Sequence, residues 1–473
     1  MTKTKSTSKY LTLLTVVAAL GGLLFGYDTA VISGTVASLE NFFVLPFGLD
    51  ETSANSRLGF LVSSALIGCI IGGLSGGIIS EKIGRKNGLI LAGLLFLISA
   101  IGSAMPELFL KPIGEGDHTF IYNFIVYRII GGIGVGLTSM LSPLYIAEIA
   151  PADKRGKLVS INQLALVFGI LLVYFVNYYI ARQGNDDWIN TLGWRWMFAS
   201  EAIPAVLFLV LLFFVPDTPR SLVLKSQPEK ALSVLNKLNS SEQAKKILDD
   251  IQNSIASKGT GKIFSYGIVV IIIGILISAF QQFVGINVVL YYAPEIFKNM
   301  GSVTDTALLQ TVIVGIVNLI FTLIAIMTVD KFGRKPLMII GAIGMAFSML
   351  ALGTSFYMES IGIGALIYML IYVASFAMSW GPVAWVLLSE IFPNKIRGRA
   401  LAIAVAVQWI SNYLVSWTFP IMNKNSYLVE TFHNGFAYWI YGIMAILAAL
   451  FVWKFIPETK GKTLEEMESF WNK

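Results

Sequence analysis

The sequence predicts an all-α membrane protein, with twelve transmembrane helices in two six-helix lobes and short cytoplasmic helices between the lobes. Three observations predict this fold. The 473 residues are 56% apolar and only 13% charged, with 43 glycines, which is too greasy for a soluble globule. The apolar residues fall into twelve runs of bilayer length, about 20 residues each as helix. A charge pattern also occurs twice: Gly84-Arg85-Lys86, Glu148 with Arg155-Gly156-Lys157, and Pro216-Asp217-Thr218-Pro219-Arg220 are echoed by Gly333-Arg334-Lys335, Glu390 with Arg397-Gly398-Arg399, and Pro457-Glu458-Thr459-Lys460. From 85 to 334, 148 to 390 and 216 to 457 the offsets are 249, 242 and 241, as expected of a duplicated six-helix unit.

The first six runs cover about 11–33, 57–80, 88–105, 120–144, 157–180 and 194–215. The second six cover about 264–298, 305–328, 336–356, 361–389, 400–421 and 434–456. The basic segment before Leu11 imitates the start of a signal peptide, but its apolar run continues past Ala30 without a small-residue cleavage site, so it is read as a retained first helix. The repeat divides the chain into an N-terminal lobe (1–219), an amphipathic helical linker (220–262), a C-terminal lobe (263–457) and a tail (458–473). In the linker Leu232, Leu235, Leu238, Ile247, Leu248, Ile251 and Ile255 recur at helical spacing, giving apolar stripes on otherwise polar segments. The tail from Thr463 begins like a capped helix.

Lys and Arg in short loops set orientation. Lys82, Arg85, Lys86, Lys154, Arg155, Lys157, Lys331, Arg334, Lys335, Lys395, Arg397 and Arg399 share one side, which is therefore expected to be cytoplasmic, together with both termini. The other side carries Asp50, Glu51, Glu107, Glu115, Asp117, Asp186, Asp187, Asp305 and Glu359. The formal charge of +6 fits an anionic inner leaflet and gives no reason to expect nucleic acid.

Several chemistries are not expected. Gly132, Gly134 and Gly136 lie inside the apolar fourth run with no strand before them, so they suit close helix contact and not a phosphate loop. No Gly-x4-Gly-Lys-Ser/Thr occurs, so ATP is not the expected energy source. The only histidines, His118 and His433, are far from making a metal ligand set. No cofactor is expected, and no nucleophile–base pair marks an enzyme. Cys69 is the lone cysteine.

Polar residues inside spans remain, each costly enough to imply function. Asp28 lies well inside the first run, Arg128 in the fourth and Glu201 in the sixth. Desolvation favours a neutral carboxyl and a nearby cation favours the anion, so a site alternating between those conditions loads and releases a proton. A static buried ion pair is the structural alternative. A second set is amide and aromatic: Gln163, Gln281, Gln282, Asn287, Asn318, Trp385, Gln408, Trp409 and Asn412. A carboxamide offers a donor beside an acceptor, matching paired hydroxyls, and Trp covers an apolar ring face. The implied ligand is a neutral polyol, although any one amide would equally serve as interhelical glue. Gly285 and the Gly381-Pro382 pair interrupt the seventh and tenth runs as hinges do.

These motifs resemble the sugar porters of the major facilitator superfamily. The resemblance rests on Gly21 to Ser33, Tyr127-Arg128, Glu148 to Lys157, Gln281 to Asn287, Asp330 to Arg334 and Glu390 to Arg399, and it covers nearly the whole chain. Asp28 to Gly34 and Trp380 to Pro393 look most like the branch of that family formed by bacterial D-xylose/proton symporters. The resemblance implies proton coupling at Asp28, regulated by Arg128. It implies sugar binding by Gln163, Gln281, Gln282, Asn287, Asn318, Trp385 and Gln408, with Tyr291 closing from outside and Trp409 and Phe25 lining the cavity. It also implies a bacterial inner-membrane location and a monomer.

One departure bears on substrate. Ile170, two turns after Gln163, stands where the xylose branch has glutamine and glucose facilitators have isoleucine, whereas Leu290 stays with the xylose branch. The expected function is uptake of a neutral monosaccharide, D-xylose first, by proton symport. The alternatives are a proton-coupled glucose or hexose symporter, a proton-independent facilitator and, behind these, a non-transporting sugar sensor. Arg85, Glu148, Arg155, Arg334, Glu390 and Arg397 are expected to form a cytoplasmic charge latch, with pairs within and between lobes.

Overall fold

The computed structural model describes residues 2–112, 114–151, 154–256, 267–393 and 396–460. Among these, twelve helices are long and apolar enough to cross a membrane: α1 (Lys9–Gly34), α2 (Glu51–Ile83), α3 (Arg85–Ala104), α4 (His118–Ile149), α5 (Arg155–Ala181), α6 (Asp186–Phe213), α7 (Val269–Asn299), α8 (Thr304–Val329), α9 (Arg334–Tyr357), α10 (Ile363–Ile391), α11 (Arg397–Asn423) and α12 (Phe436–Phe455). No strand occurs among the described residues. Several helices run past their apolar stretches, because polar end turns go on closing backbone hydrogen bonds. The largest difference is α6, which begins at Asp186 and not near 194: the Asn185 side chain accepts the Trp188 amide at 3.0 Å and starts the helix early.

Packing repeats the sequence duplication. In the first lobe α1 lies on α5, α2 on α4, and α3 on both α4 and α6; in the second, α7 lies on α11, α8 on α10, and α9 on both α10 and α12. The lobes meet along α2 against α11 and α5 against α8. Glycine permits the closest approaches. A Cβ at Gly26 would stand 2.0 Å from the Leu166 carbonyl oxygen, and one at Gly132 would stand 1.8 Å from that of Ala65. The glycines of α4 are therefore helix-contact residues, with dispersion contacts replacing the hydrophobic effect that lipid cannot supply.

Two helices are broken. In α7 Gly285 adopts φ +92°, a left-handed conformation that separates Val269–Phe283 from Ile286–Asn299. In α10 the interruption falls at Ser379, between Ile363–Met378 and Trp380–Ile391, slightly before the Gly381-Pro382 pair expected from sequence. The reason is the proline ring, which obstructs the helical position four residues upstream and so places the break before itself.

The linker forms three helices, Pro219–Leu224, Pro228–Leu238 and Ser241–Ala256. Ala231, Val234, Leu235 and Leu238 are buried, while Leu232 is only half-buried. The hairpin leans on the first lobe, where Lys237 Nζ lies 5.8 Å from the centre of the Tyr10 ring. The linker beyond Ala256 to residue 266 and the tail beyond Lys460 fall outside the described residues.

Because the α2–α4 contact is backbone to backbone, Gly132→Val is expected to lower the melting temperature in detergent by several degrees, corresponding to overpacking of about 1–3 kcal/mol. Gly156→Ala, where an added Cβ meets nothing within 4 Å, serves as the control and is expected to melt like the parent.

Candidate functional site

Three helices bring ionisable side chains together in the first lobe. The Arg128 guanidinium of α4 donates through Nη1 to Asp28 Oδ1 of α1 at 2.9 Å and through Nη2 to the Asp28 carbonyl oxygen at 3.2 Å. Its Cζ lies 5.3 Å from the centre of the Phe198 ring. Glu201 of α6 lies within electrostatic reach of both. All three are buried, with 0%, 1% and 0% exposure for Asp28, Arg128 and Glu201. Asp28 Oδ2, Arg128 Nε and both Glu201 carboxyl oxygens have no hydrogen-bond partner. Two carboxylates and one guanidinium cannot all stay ionised here without an uncompensated buried charge, which costs several kcal/mol. One proton balances the group, so the arrangement is suited to taking up and releasing one.

Tyr27, next to Asp28, hydrogen-bonds Ser200, next to Glu201, at 2.8 Å. Ser200 and Glu201 occupy a turn between Trp194–Ala199 and Ala202–Phe213. This link was not visible in sequence, where Tyr27 and Ser200 are ordinary span residues.

The amides gather in the second lobe. Gln281 Nε2 donates to the Trp380 carbonyl at 2.9 Å, Gln408 donates to Gln281 Oε1, and Asn287 Nδ2 donates to Gln282 Oε1 at 2.5 Å. The break at Gly285 turns Asn287 back toward Gln282, and Trp380, the first residue of the second half of α10, presents its carbonyl to Gln281. Asn412 Nδ2 donates to the Tyr291 hydroxyl at 3.3 Å, joining that ring to the α11 side of the group. Gln408 Oε1 and Trp409 Nε1 are buried without a partner. Phe25 of the first lobe meets Trp409 at a centroid distance of 5.5 Å, bringing the aromatic pair across the interface. Asn318 is buried, whereas Gln163 and Trp385 are half-buried; none of these three joins the amide network. Ile170 is buried on α5 beside α1, its backbone nitrogen 3.1 Å from a Cβ placed at Gly26.

At the basic end each lobe builds the same cluster. Arg85 Nη2 meets Glu148 Oε1 at 2.8 Å, and Arg334 Nη2 meets Glu390 Oε1 at 2.8 Å. Thr218 completes the first by donating to Glu148 and Thr459 completes the second by donating to Glu390. Asp217 accepts the Lys86 amide at 3.2 Å, and Glu458 accepts the amides of Arg334 and Lys335 at 3.0 Å each, capping the starts of α3 and α9. These four residues belong to the repeated motif, and the repeat was the signal for them. Arg155 donates to the Ala147 carbonyl at 3.0 Å and Arg397 to that of Phe392 at 3.1 Å. Arg155 thus secures the end of α4 through a carbonyl, where a pair with Glu148 was expected, because Arg85 and Thr218 already occupy that carboxylate.

Hydrogen bonds between lobes gather at the acidic end. Tyr174 donates to the Leu290 carbonyl at 2.7 Å, Trp417 Nε1 to the Ser56 carbonyl at 3.1 Å, and the Ser426 amide to Glu51 at 2.6 Å, while Lys424 pairs with Glu40. A cavity of about 230 Å³ between the lobes at this end is lined by Asn41, Asn190 and Lys298 and lies outside the amide group.

The chain belongs to the sugar (and other) transporter family, whose model matches residues 14–471, and so to the sugar porters of the major facilitator superfamily. It is a multi-pass membrane protein. It is 62% identical to the D-xylose-proton symporter of Escherichia coli strain K12, over 99% of this chain and 97% of that one. It is 43% identical to the glucose facilitated diffusion protein of Zymomonas mobilis, over 99% and 98%. The solved inward open conformation of the xylose transporter XylE from E. coli matches with a TM-score of 0.89 and 60% identity, covering 98% of this chain and all of that one.

Partial burial raises the Asp217 carboxyl, but the bonds from Lys225, Ser221 and the Lys86 amide outweigh it and hold the group below its ordinary value. A depressed carboxyl stabilises the fold above its unfolded value, about pH 4, and that stabilisation disappears as pH falls through the folded value. Melting temperature is therefore expected to drop on acidification through this range. In Asp217→Asn that part of the drop should be missing, with a lower plateau at neutral pH.

Proposed function

We propose that this chain carries D-xylose together with a proton into the bacterial cell across the inner membrane, by alternating access of the two lobes to a central site. The observation that carries this reading is the buried Asp28–Arg128 pair beside Glu201, a group whose charge balances only with a proton. The likeness to a D-xylose-proton symporter supports the choice of sugar and of coupling ion. The basic end is assigned to the cytoplasm by its lysines and arginines, as are both termini, the linker 220–262 and the tail 458–473.

In the proposed cycle the outward-facing state protonates Asp28, which releases Arg128. Sugar then exchanges its hydroxyls for the mutual bonds of Gln281, Gln282, Asn287 and Gln408, with Gln163, Asn318 and Trp385 completing contact and Phe25, Trp409 and Tyr291 enclosing it. Neutralising Asp28 removes the charge penalty of closing over it. The bond between Arg128 and Asp28 belongs to the opposite end of the cycle, where return of the guanidinium stabilises the Asp28 carboxylate and the group's one proton rests on Glu201 until the inward-facing cavity takes it. The lobes touch at the acidic end in this arrangement, as required for inward release. The clusters around Glu148 and Glu390 keep their helix ends ordered and, in the outward state, meet across the basic end as the latch. Gly285, Gly381 and Pro382 supply the local backbone freedom.

Ile170 favours a second reading, a hexose substrate on the same symporter, because it withdraws a polar contact expected of a pentose site. A single hydroxymethyl difference yields only about 1–3 kcal/mol of discrimination in an apolar pocket, so substitution at this position is enough to alter preference.

Purified protein in liposomes, given labelled xylose or glucose with and without an inward proton gradient, is expected to concentrate xylose only when the gradient is present. Asp28→Asn should abolish accumulation above the external concentration while retaining sugar exchange; accumulation by that variant would refute the coupling role. Glu148→Gln and Glu390→Gln are expected to increase the reactivity of a cysteine engineered near Arg155 toward a cytoplasmic reagent, and unchanged reactivity would count against the latch.

A further inference from the structure

At the acidic end, α2, α4 and α11 meet around a groove of about 510 Å³. Arg57 lies in it, about two turns into α2. Its guanidinium is stacked over Phe47, with Cζ 4.3 Å from the ring centre, a contact that orients the plane while satisfying none of its N–H groups. Nη1 is buried and has no hydrogen-bond partner, and no ion pair to Arg57 occurs among the described residues. The nearby carboxylates are engaged elsewhere: Asp50 accepts the Ser53 amide at 3.1 Å and Glu51 accepts the Ser426 amide at 2.6 Å. A cation half-sunk in the wall of a membrane protein without a counter-charge calls for an anion from outside the chain.

The groove is graded along the membrane normal. Ser53 stands toward the helix end, and Phe60, Ile125 and Trp417 form its apolar walls. Tyr122 and Val126 are exposed on the α4 flank, at 70% and 53%, so this side of the helix faces hydrocarbon and headgroups. A polar rim, a fixed cation and apolar walls in that order match an amphiphile with a phosphate above acyl chains. We propose that Arg57 binds the phosphate of an outer-leaflet phospholipid, whose first acyl segment lies along Phe60 and Ile125. Arg suits this role because its planar fork grips two phosphate oxygens at once. Trp417 belongs to the opposite lobe and is held there by its bond to the Ser56 carbonyl. The groove has this shape only while the lobes touch at this end, and a lipid bound in it favours that arrangement by its differential affinity.

The test is native mass spectrometry of the full-length protein in detergent, titrated with phosphatidylglycerol, alongside melting with and without the lipid. Wild type is expected to retain one lipid and to melt higher with it. Arg57→Gln is expected to lose retention by about fivefold, the effect of one basic residue at a lipid surface, and Arg57→Lys to recover part of it. Lipid-free melting and labelled-sugar binding equal to wild type establish that the glutamine variant is folded. Equal lipid retention by wild type and Arg57→Gln would overturn the proposal, as would inorganic phosphate alone raising the melting temperature as much as the lipid does.

Discussion

Charge neutrality in a dry interior is the constraint on which the first lobe depends. Asp28, Arg128 and Glu201 come from three different helices and are each essentially unexposed. The low dielectric that makes their attraction strong also makes any imbalance costly. The helices around them are therefore close-packed, with Gly26 admitting the α5 backbone beside Asp28 and Gly132 admitting the α2 backbone beside Arg128. Water that would screen the group is excluded by the same glycines. The proposed coupling follows from that exclusion: a proton becomes the cheapest way to alter the charge, and rearrangement of Arg128 becomes the means of moving it.

The two lobes use their shared architecture for different chemistry. In the first, the central polar groups are ionisable; in the second, they are carboxamides bonded to one another and to a backbone carbonyl at the start of the second half of α10. A neutral, multiply hydroxylated ligand can replace amide–amide bonds one for one, with little net change in hydrogen bonding. The duplicated clusters at the basic end keep the same parts in both lobes: glycine at positive φ, arginine on glutamate, threonine on the same glutamate, and an acid over the helix start. Conserving that geometry in both halves gives the lobes matched rigid ends about which rocking is possible.

The twelve spans, their two groups of six and the pairing of polar motifs were legible in the sequence because a bilayer imposes a long apolar run on every crossing helix. Asp28 and Arg128 were legible as a pair for the same reason, since an ion in a span has to be answered by another. Other features left no periodic signal. The early start of α6 depended on a single capping asparagine. The break in α10 fell at Ser379, upstream of the proline that causes it. Arg155 went to a carbonyl because two other residues had already claimed Glu148, a competition that spacing along the chain does not reveal.

By itself, the sequence determined the class of protein, the number and order of its membrane helices, and which polar residues lie within them, because hydrophobic run length and burial cost are local properties. Only the tertiary structure decided which of those residues meet. It placed Glu201 beside the Asp28–Arg128 pair, left Gln163 outside the amide network, brought Phe25 across to Trp409, and gathered the described inter-lobe hydrogen bonds at the acidic end. Those outcomes depend on helix rotation and on backbone approaches set by individual glycines, where a shift of an ångström or two exchanges one partner for another.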